Sequence, residues 1–186
     1  MDTKSKLSKI ILITGSDGFI GKNLKSQLDL LENITVVCFN RSNKLEELYG
    51  LLNRADFIFH IAGVNRPKKI EEFEDSNINL TKEIIERLTK LNKKTPFLMT
   101  SSAQATLDNP YGKSKKAAED LLLDWSKKSG TSIYIYRLPG VFGKWSKPNY
   151  NSVVATFCYN LSRNFDIEVT DPSKHIELVY IDDVIK

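Results

Sequence analysis

The chain has 186 residues, of which 41% are hydrophobic, and its 27 Lys and Arg against 23 Asp and Glu give a net charge of +4. This balance predicts one soluble globular domain with a substantial core. No apolar run approaches the ~20 residues of a membrane span, and the charge is modest for a nucleic-acid-binding domain, so we expect neither membrane insertion nor nucleic-acid binding. Two cysteines and two histidines without a cluster argue against a metal site.

The start of the chain bears on where the protein works. Residues 1–9 are polar and lysine-rich and lack the apolar segment of a secretory signal. Cys38 and Cys158 each lie in an apolar pattern, so we expect reduced core residues rather than a disulfide. These features predict a cytoplasmic protein.

The first predicted element is a buried strand over Lys9–Thr14, which is apolar and β-branched. Gly15, Gly18 and Gly21 follow, and helical spacing of apolar residues begins at Ile20. Glycines at a strand–turn–helix junction are typical of a dinucleotide-binding loop, in which they permit the turn, the approach of backbone amides to a pyrophosphate and close helix packing. The alternative is a glycine-rich turn without a ligand. The predicted cofactor-binding residues of this loop are Gly15, Asp17, Gly18, Phe19 and Ile20.

The second predicted strand, Ile34–Phe39, is followed by Asn40 and Arg41. The residue at this place reads the adenosine ribose: an acidic residue suits a free 2′-hydroxyl, whereas an arginine suits a 2′-phosphate. No acidic residue stands here, so we predict that Asn40 and Arg41 bind NADP(H) rather than NAD(H). The alternative is an ordinary surface arginine in a loop.

Strand-like and helix-like patterns then alternate. They predict a helix at 45–52, a strand at 57–61 that ends at Ala62 and Gly63, a helix at 78–91, a strand at 97–99, a helix from about 111 to Gly130, and a strand at 133–137. This alternation predicts an α/β fold with a doubly wound parallel sheet covered by helices on both faces. In the strand order 3-2-1-4-5, strands 1 and 4 are neighbours, and ligands bind where the winding reverses.

Three polar side chains follow the fourth strand. Ser102 comes just beyond it, and Tyr111 and Lys115 lie four apart, on one face of the next helix. A neighbouring cation lowers the pKa of a tyrosine, which can then exchange a proton with a sugar or alcohol oxygen. Alone, the pair favours a half-buried tyrosine beside a solvated lysine, and the serine suits a cap or a turn. Their convergence with the glycine loop predicts a catalytic site of Ser102, Tyr111 and Lys115.

The glycine spacing together with Ser102 and Tyr111-x-x-x-Lys115 resembles the extended short-chain dehydrogenase/reductase family of nucleotide-sugar enzymes, over essentially the whole chain. The resemblance implies a structural role for Asn77 and a cofactor contact at Leu138, in the segment that passes under the nicotinamide. It also implies that Ala62, Gly63 and Lys115 contact the cofactor, and that the protein forms a homodimer through the helix bearing Tyr111 and a neighbouring helix.

A narrower resemblance covers Ala103–Thr106, Asp108–Gly112 and Phe142–Ser152, which look like the CapF-type capsular-polysaccharide reductases. It implies NADPH-dependent reduction of a UDP-linked 4-keto-6-deoxy-N-acetylhexosamine on the route to UDP-N-acetyl-L-fucosamine, a capsule or O-antigen precursor. For the part of this resemblance at Phe142–Ser152, the alternative is an ordinary loop with a helix cap at 151–152. The implied substrate contacts are Ala103, Lys144, Trp145, Asn149 and Asn151.

The chain also departs from these families. Gly140 stands where an asparagine that touches substrate is usual. We expect residues 1–186 to form an NADP-binding Rossmann-type domain with the beginning of a substrate lobe at about 140–186, without the rest of that lobe and without the metal-dependent cupin domain. Two other functions stay open: an NAD-using epimerase or dehydratase, although Ala103 and Gln104 replace the acidic pair of a dehydratase, and a non-catalytic NADP-binding module.

Overall fold

The computed structural model describes residues 8–67, 69 and 71–186, so most of the segment used to predict the absence of a secretory signal lies outside it. In the described part of the chain, no helix is both long and apolar enough to span a bilayer. The strands are β1 Lys9–Thr14, β2 Ile34–Phe39, β3 Phe57–His60, β4 Phe97–Ser102, β5 Ile133–Leu138, β6 Gly140–Phe142 and β7 Leu178–Tyr180. The helices are α1 Phe19–Leu28, α2 Leu45–Arg54, α3 Glu71–Phe73, α4 Leu80–Lys90, α5 Pro110–Ser129, α6 Val153–Leu161 and α7 Ile181–Ile185.

The predicted parallel sheet is confirmed, but its strand order is β2-β1-β3-β4-β5. The expectation that β1 and β4 are neighbours is wrong, because a single helix, α2, carries the chain from β2 across β1 and places β3 on the other edge of β1. The winding therefore reverses between β1 and β3, as in the other common doubly wound order. With a strand spacing of about 4.8 Å, β4 lies roughly 10 Å from β1, and the loop after β3 separates the glycine loop from Ser102.

Helix α5 follows its sequence signals closely. Asn109 is its N-cap, and the side-chain oxygen of Asn109 accepts a hydrogen bond of 2.8 Å from the Gly112 amide. Gly130 ends the helix in the left-handed conformation, with a φ of 71°, and donates its N–H to the Ser126 carbonyl. The cap and the proline at its first position fix where the helix begins, and so fix Tyr111 in its first turn.

One face of the sheet carries the main core. Apolar side chains of β1, β3 and β4 pack there against α2, α4 and α5, and Leu12, Ile58 and Phe97 are fully buried. The other face is covered by α1, which packs on β1 and β2 and contacts α7. On this second face Tyr134 and Tyr136 of β5 are about half exposed, and Tyr134 stacks near Phe57. The two faces are therefore covered unequally.

The helix before β4 is irregular. The prediction at 78–91 is confirmed for α4, but the six residues before it, Glu74–Asn79, form a π-helix that continues from α3. A π-helix accommodates extra residues in an otherwise α-helical path and is often found at functional sites. Asn77 lies within this segment and is 2% exposed.

The chain after β5 forms a small second sheet, in which β6 and β7 pair in parallel. A Cβ at Gly140 would lie 2.9 Å from Cδ2 of Leu178, so the pairing of β6 with β7 leaves no room for an asparagine there without rearrangement. Ile181 of α7 is fully buried. The expectation that both cysteines are core residues is wrong for Cys158, which is exposed on α6, whereas Cys38 is half-buried.

Candidate active site

The glycine loop closes tightly against the loop that follows β3. Gly15 has a φ of 77°, and a Cβ on it would lie 2.7 Å from the Cα of Ala62. A Cβ on Gly21 would lie 2.2 Å from the Gly15 carbonyl oxygen, so the third glycine allows α1 to lie against the turn. Gly18 is the N-cap of α1 and no side chain caps that helix, which leaves its N-terminus available to an anion. The loop fits a pyrophosphate.

Asn40 ties the end of β2 to this loop. Its side-chain oxygen accepts hydrogen bonds from the Ser16 hydroxyl at 3.1 Å and from the Asp17 amide at 3.2 Å. Asn40 is thus committed to holding the glycine loop in shape. Arg41 is exposed and lines a cleft of about 450 Å³ that Gly63 also borders.

Ser102 and Tyr111 meet as predicted. Ser102 is the last residue of β4 and is 9% exposed; its hydroxyl accepts a hydrogen bond of 3.1 Å from the Gln104 amide and lies close to the phenol of Tyr111. The Tyr111 ring also packs against Phe73, with ring centroids 5.8 Å apart. Burial raises the pKa of Tyr111 above its ordinary value, and the nearby Ser102 hydroxyl opposes this only in part. The phenol is therefore protonated at neutral pH.

Lys115 lies one turn further along α5 and is 6% exposed. Its ammonium group donates a hydrogen bond of 2.9 Å to the Thr100 carbonyl and lies 3.3 Å from where a Cβ of Gly63 would be. Burial lowers the pKa of Lys115 to about 8, and the charge of Glu119 opposes the shift. The expectation that Lys115 lowers the pKa of Tyr111 is wrong in this structure, because the amine is directed towards Thr100 and Gly63 and burial of the phenol dominates.

Asn77 joins the loop after β3 to the helix that bears Tyr111. Its side chain exchanges two hydrogen bonds with the backbone of Val64, at 2.9 and 3.1 Å, and donates a third to the Ser114 hydroxyl at 2.9 Å. Ser114 in turn donates to the Tyr111 carbonyl. The structural role implied for Asn77 is therefore confirmed, and Ser114 is an additional link.

A buried histidine extends this network to β1. Thr81 donates its hydroxyl hydrogen to the Asn77 carbonyl at 2.9 Å, so it must accept from Nε2 of His60, which lies 2.9 Å away. Nδ1 of His60 is then an acceptor, and Thr14 donates to it at 2.7 Å. Burial, assisted by the charge of Lys115, lowers the pKa of His60 to about 3 and keeps the ring neutral, as this pattern requires.

An ion pair between half-exposed Arg137 and buried Glu119 fixes β5 to α5. Glu119 is 2% exposed and receives a two-pronged contact from Arg137, at 2.9 and 2.6 Å, together with a hydrogen bond from Ser101. Burial alone would raise the pKa of Glu119, but the bonds from Arg137 and Ser101 hold it below its ordinary value. Leu138 follows Arg137 and is the β-sheet partner of Ser102.

The segment 143–152 stands apart from the Ser102–Tyr111 pair. The Lys144 amine lies 4.1 Å from the centre of the Trp145 ring, and the Lys144 carbonyl accepts a hydrogen bond from Asn23 of α1. Trp145 is 46% exposed. This part of the segment is docked on the helix that follows the glycine loop.

The remaining predicted substrate contacts are also dispersed. The Asn149 amide donates to Thr156 of α6, and Asn151 is exposed beside Ser152, which is the N-cap of α6 as the cap alternative predicted. Ala103 is exposed directly after Ser102. Ala103 therefore adjoins the site, whereas the described contacts of the other candidates are with α1 and α6.

Comparison with known proteins places the chain among enzymes. The model of the NAD dependent epimerase/dehydratase family matches residues 11–186. The chain belongs to this family. The family member "UDP-2-acetamido-2,6-beta-L-arabino-hexul-4-ose reductase" of Pseudomonas aeruginosa is 49% identical to it over 176 residues, which are 95% of this chain and 47% of that protein.

Solved structures of the epimerase/dehydratase type give the same fold. The crystal structure of the capsular polysaccharide assembling protein CapF from Staphylococcus aureus superposes with a TM-score of 0.83 at 47% identity, over 94% of this chain and 47% of that one. RMD from Pseudomonas aeruginosa, complexed with NADPH, superposes with a TM-score of 0.76 at 22% identity, over 95% of this chain and 72% of that one. The chain thus spans about half the length of the P. aeruginosa reductase and of CapF.

Several residues of the candidate site in this chain were not predicted from the sequence. Ser114 had a usable signal, since it lies three residues after Tyr111 on the same helical face. Arg66, which lines the same cleft as Arg41, could have been found as a cation in the loop beyond a strand. His60 has no such signal, because its partners lie 46 and 21 residues away in sequence.

Proposed function

We propose that this chain carries the cofactor site and the catalytic residues of an NADPH-dependent reductase that acts on a UDP-linked 4-keto-6-deoxy-N-acetylhexosamine, in the synthesis of UDP-N-acetyl-L-fucosamine for capsule or O-antigen. The observation that carries the proposal is the approach of the Ser102 hydroxyl to the phenol of Tyr111 at the end of β4, with buried Lys115 one turn further along α5. The name of the 49% identical relative supports the substrate class, and so does the likeness to CapF.

The residues present fit NADP(H). Gly15 and Gly18 open the N-terminus of α1 to a pyrophosphate, and Arg41 supplies a guanidinium where an acidic residue would favour NAD(H). Around the nicotinamide half we assign Ala62, Gly63 and Leu138, which lie at the carboxyl ends of β3 and β5. Lys115, whose amine lies beside Gly63, is assigned to the ribose of that half rather than to the phenol of Tyr111.

The mechanism requires one proton and one hydride. When bound, the reduced nicotinamide supplies the hydride that converts a ketone into an alcohol. Ser102 donates a hydrogen bond to the carbonyl oxygen of the substrate, and Tyr111 delivers its phenolic proton to that oxygen. The raised pKa of Tyr111 keeps the proton on the phenol at neutral pH, which is the form that a reduction needs.

The direction of the Tyr111 pKa shift favours the reductase over its rivals. An epimerase or dehydratase begins by oxidising its substrate, for which the tyrosine must first act as a base. Burial of Tyr111 without an offsetting charge disfavours the deprotonated phenolate, which is the form that acts as a base. Ala103 and Gln104, both exposed, occupy the places where a dehydratase has its acidic pair.

Substrate contacts and assembly complete the proposal. We propose that Ala103, Lys144, Trp145, Asn149 and Asn151 contact the UDP-sugar once it lies between the Ser102–Tyr111 pair and the segment 143–152. A groove of about 690 Å³ between α4 and α5, bordered by Ile85, Leu121 and Trp125, is the proposed homodimer surface. Cys38 and Cys158 are both unpaired, which suits a cytoplasmic enzyme.

The proposal is tested by Tyr111→Phe, followed as consumption of NADPH absorbance with the UDP-4-keto-sugar. Loss of the proton donor should reduce kcat by at least ~100-fold and leave the affinity for NADPH within about twofold. Tyr136→Phe is the matched control, because Tyr136 is an exposed tyrosine on β5 and should turn over normally. Full activity of Tyr111→Phe would remove the phenol from the mechanism.

A further inference from the structure

A cleft opens at the carboxyl ends of β2 and β3, beside the glycine loop. Its volume is about 450 Å³, and Arg41 and Arg66 enter its lining from the loops that follow these two strands. Gly63, Val64, Glu72 and Tyr150 complete the lining. Two arginines from separate loops therefore border one space that is large enough for a phosphate group and its ribose.

Arg66 is held in this cleft by the segment 143–152. Its guanidinium lies 5.8 Å from the centre of the Tyr150 ring, at cation–π distance, and the Lys147 amine lies 5.5 Å from the same ring. The Tyr150 hydroxyl donates a hydrogen bond of 3.1 Å to Asn65, the residue before Arg66. The ring and the hydrogen bond thus limit where the guanidinium can go.

The charges around the cleft favour an anion. Arg41, Arg66 and Lys147 contribute three positive charges, and Glu72 contributes one negative charge. The Glu72 carboxylate accepts a hydrogen bond from the Lys69 amide, so one carboxylate oxygen is directed towards the backbone just before Glu72. A guanidinium binds phosphate through two parallel N–H bonds, and two of them can hold a phosphate monoester from both sides.

We propose that Arg66 forms, with Arg41, a two-arginine clamp for the 2′-phosphate of NADP(H), and that Arg66 is thereby a determinant of the preference for NADP(H) over NAD(H). This rests on the proposed function. Asn40, the residue before Arg41, is held against the glycine loop, so the Arg41 end of the cleft lies on the β2 side of the pyrophosphate site, where the adenosine half must run, whereas Gly63 lies at the β3 end. Ser102 ends β4, on the other side of β3 from the glycine loop, and Tyr111 lies beside it, where the keto-sugar must react.

A diphosphate is the other phosphate source that this chemistry would accept, and the UDP-sugar carries one. The two sources are distinguished by comparing three probes: NADPH, NADH, which lacks only the 2′-phosphate, and UDP. The dissociation constants of the two reduced cofactors are measured by their fluorescence, and that of UDP by calorimetry. The variants are Arg66→Ala, Arg41→Ala, the double variant and Arg66→Lys, with Arg54→Ala at the far end of α2 as the matched charge control.

The clamp predicts that Arg66→Ala weakens NADPH about tenfold or more, while NADH and UDP change by less than about twofold. In the double variant the affinities for NADPH and NADH should become nearly equal. Arg66→Lys should recover only part of the loss, because an ammonium lacks the planar fork. Arg54→Ala should bind all three probes like the unmodified protein.

Three outcomes would overturn the clamp: unchanged NADPH affinity in Arg66→Ala, an equal loss for NADPH and NADH, or a loss confined to UDP. An equal loss would mean that Arg66 only shapes the loop through Tyr150. Failure of the unmodified protein to bind either cofactor would instead overturn the proposed function and the clamp together. Tight NADPH binding that Arg66→Ala leaves intact would overturn the clamp alone.

Discussion

Replacing Lys115 by methionine should make the folded protein less dependent on pH, because a buried ammonium is costly only while it is charged. The Lys115 side chain is 6% exposed, and burial lowers its pKa from 10.5 to about 8. Methionine has a similar length and no charge. The variant should retain its fold and lose its turnover.

The magnitude follows from the pKa shift. Between pH 8 and 10.5 the unfolded chain holds a proton on Lys115 that the folded chain has released, so the wild-type free energy of unfolding rises with pH across this window. Below pH 8 the full cost of burying the charge is present, and at 1.36 kcal/mol per unit it amounts to about 3 kcal/mol. Loss of the bond to the Thr100 carbonyl costs about 1–3 kcal/mol at every pH and does not alter the slope.

Urea unfolding at pH 7, 8, 9 and 10, followed by the fluorescence of buried Trp125, gives the difference between the two proteins. The stability of wild type relative to Lys115→Met should rise by about 2–3 kcal/mol over this range. Lys116→Met is the control, because Lys116 is a partly exposed neighbour paired with Asp120, and its difference from wild type should stay nearly flat. Parallel curves for wild type and Lys115→Met would refute the reasoning.

Three further changes test the surroundings of the site by urea unfolding. Glu119→Gln should lower the free energy of unfolding by about 1–3 kcal/mol at pH 7, because Arg137 loses its charged partner. Since the pKa of Glu119 is lowered by folding, this loss should vanish as the pH falls below that pKa, and a loss that persists in acid would contradict the ion pair. Gly21→Ala should cost about 1–3 kcal/mol or more and abolish NADPH binding, because its Cβ would lie 2.2 Å from the Gly15 carbonyl; a normal midpoint would contradict the close packing. Because His60 stays neutral in the folded chain, it lowers the free energy of unfolding as the pH falls from 6.5 to about 3, by at most about 5 kcal/mol. His60→Gln should remove this part of the acid destabilisation, and an unaltered acid profile would contradict the low pKa of His60.

Most elements of the fold could be predicted from local sequence signals. The apolar strand before Gly15 and the long helix that ends at Gly130 were predictable because strand runs, glycine turns and caps are read within a few residues. The order of the strands in the sheet could not be predicted in this way. The pattern of α2 fixes that a helix follows β2, but it does not fix which edge of β1 the next strand joins, and that choice moved β4 away from β1.

Site residues were predictable where the backbone alone sets their positions, and unpredictable where a long side chain determines which group is contacted. Ser102 and Tyr111 meet because a strand end and a helix start bring them together. Four-residue spacing places Lys115 on the same face as Tyr111, but a flexible four-carbon side chain ends where it finds a partner, here the Thr100 carbonyl. The side-chain hydrogen bonds of His60 and Asn77 join residues that are 13 to 46 positions apart, and no local pattern records them.

The π-helix at Glu74–Asn79 makes the site sensitive to chain length rather than to chemistry. Deleting a residue that follows Asn77 in this segment would let it relax into regular α-helix without turning its two flanks relative to each other, but it would rotate Asn77 itself relative to α4. Asn77 could then no longer reach Val64 and Ser114 while Thr81 still faced His60. A gap at this position in any related chain would therefore disconnect the floor of the cofactor cleft from the helix that supplies the proton, although every reactive side chain remained in place.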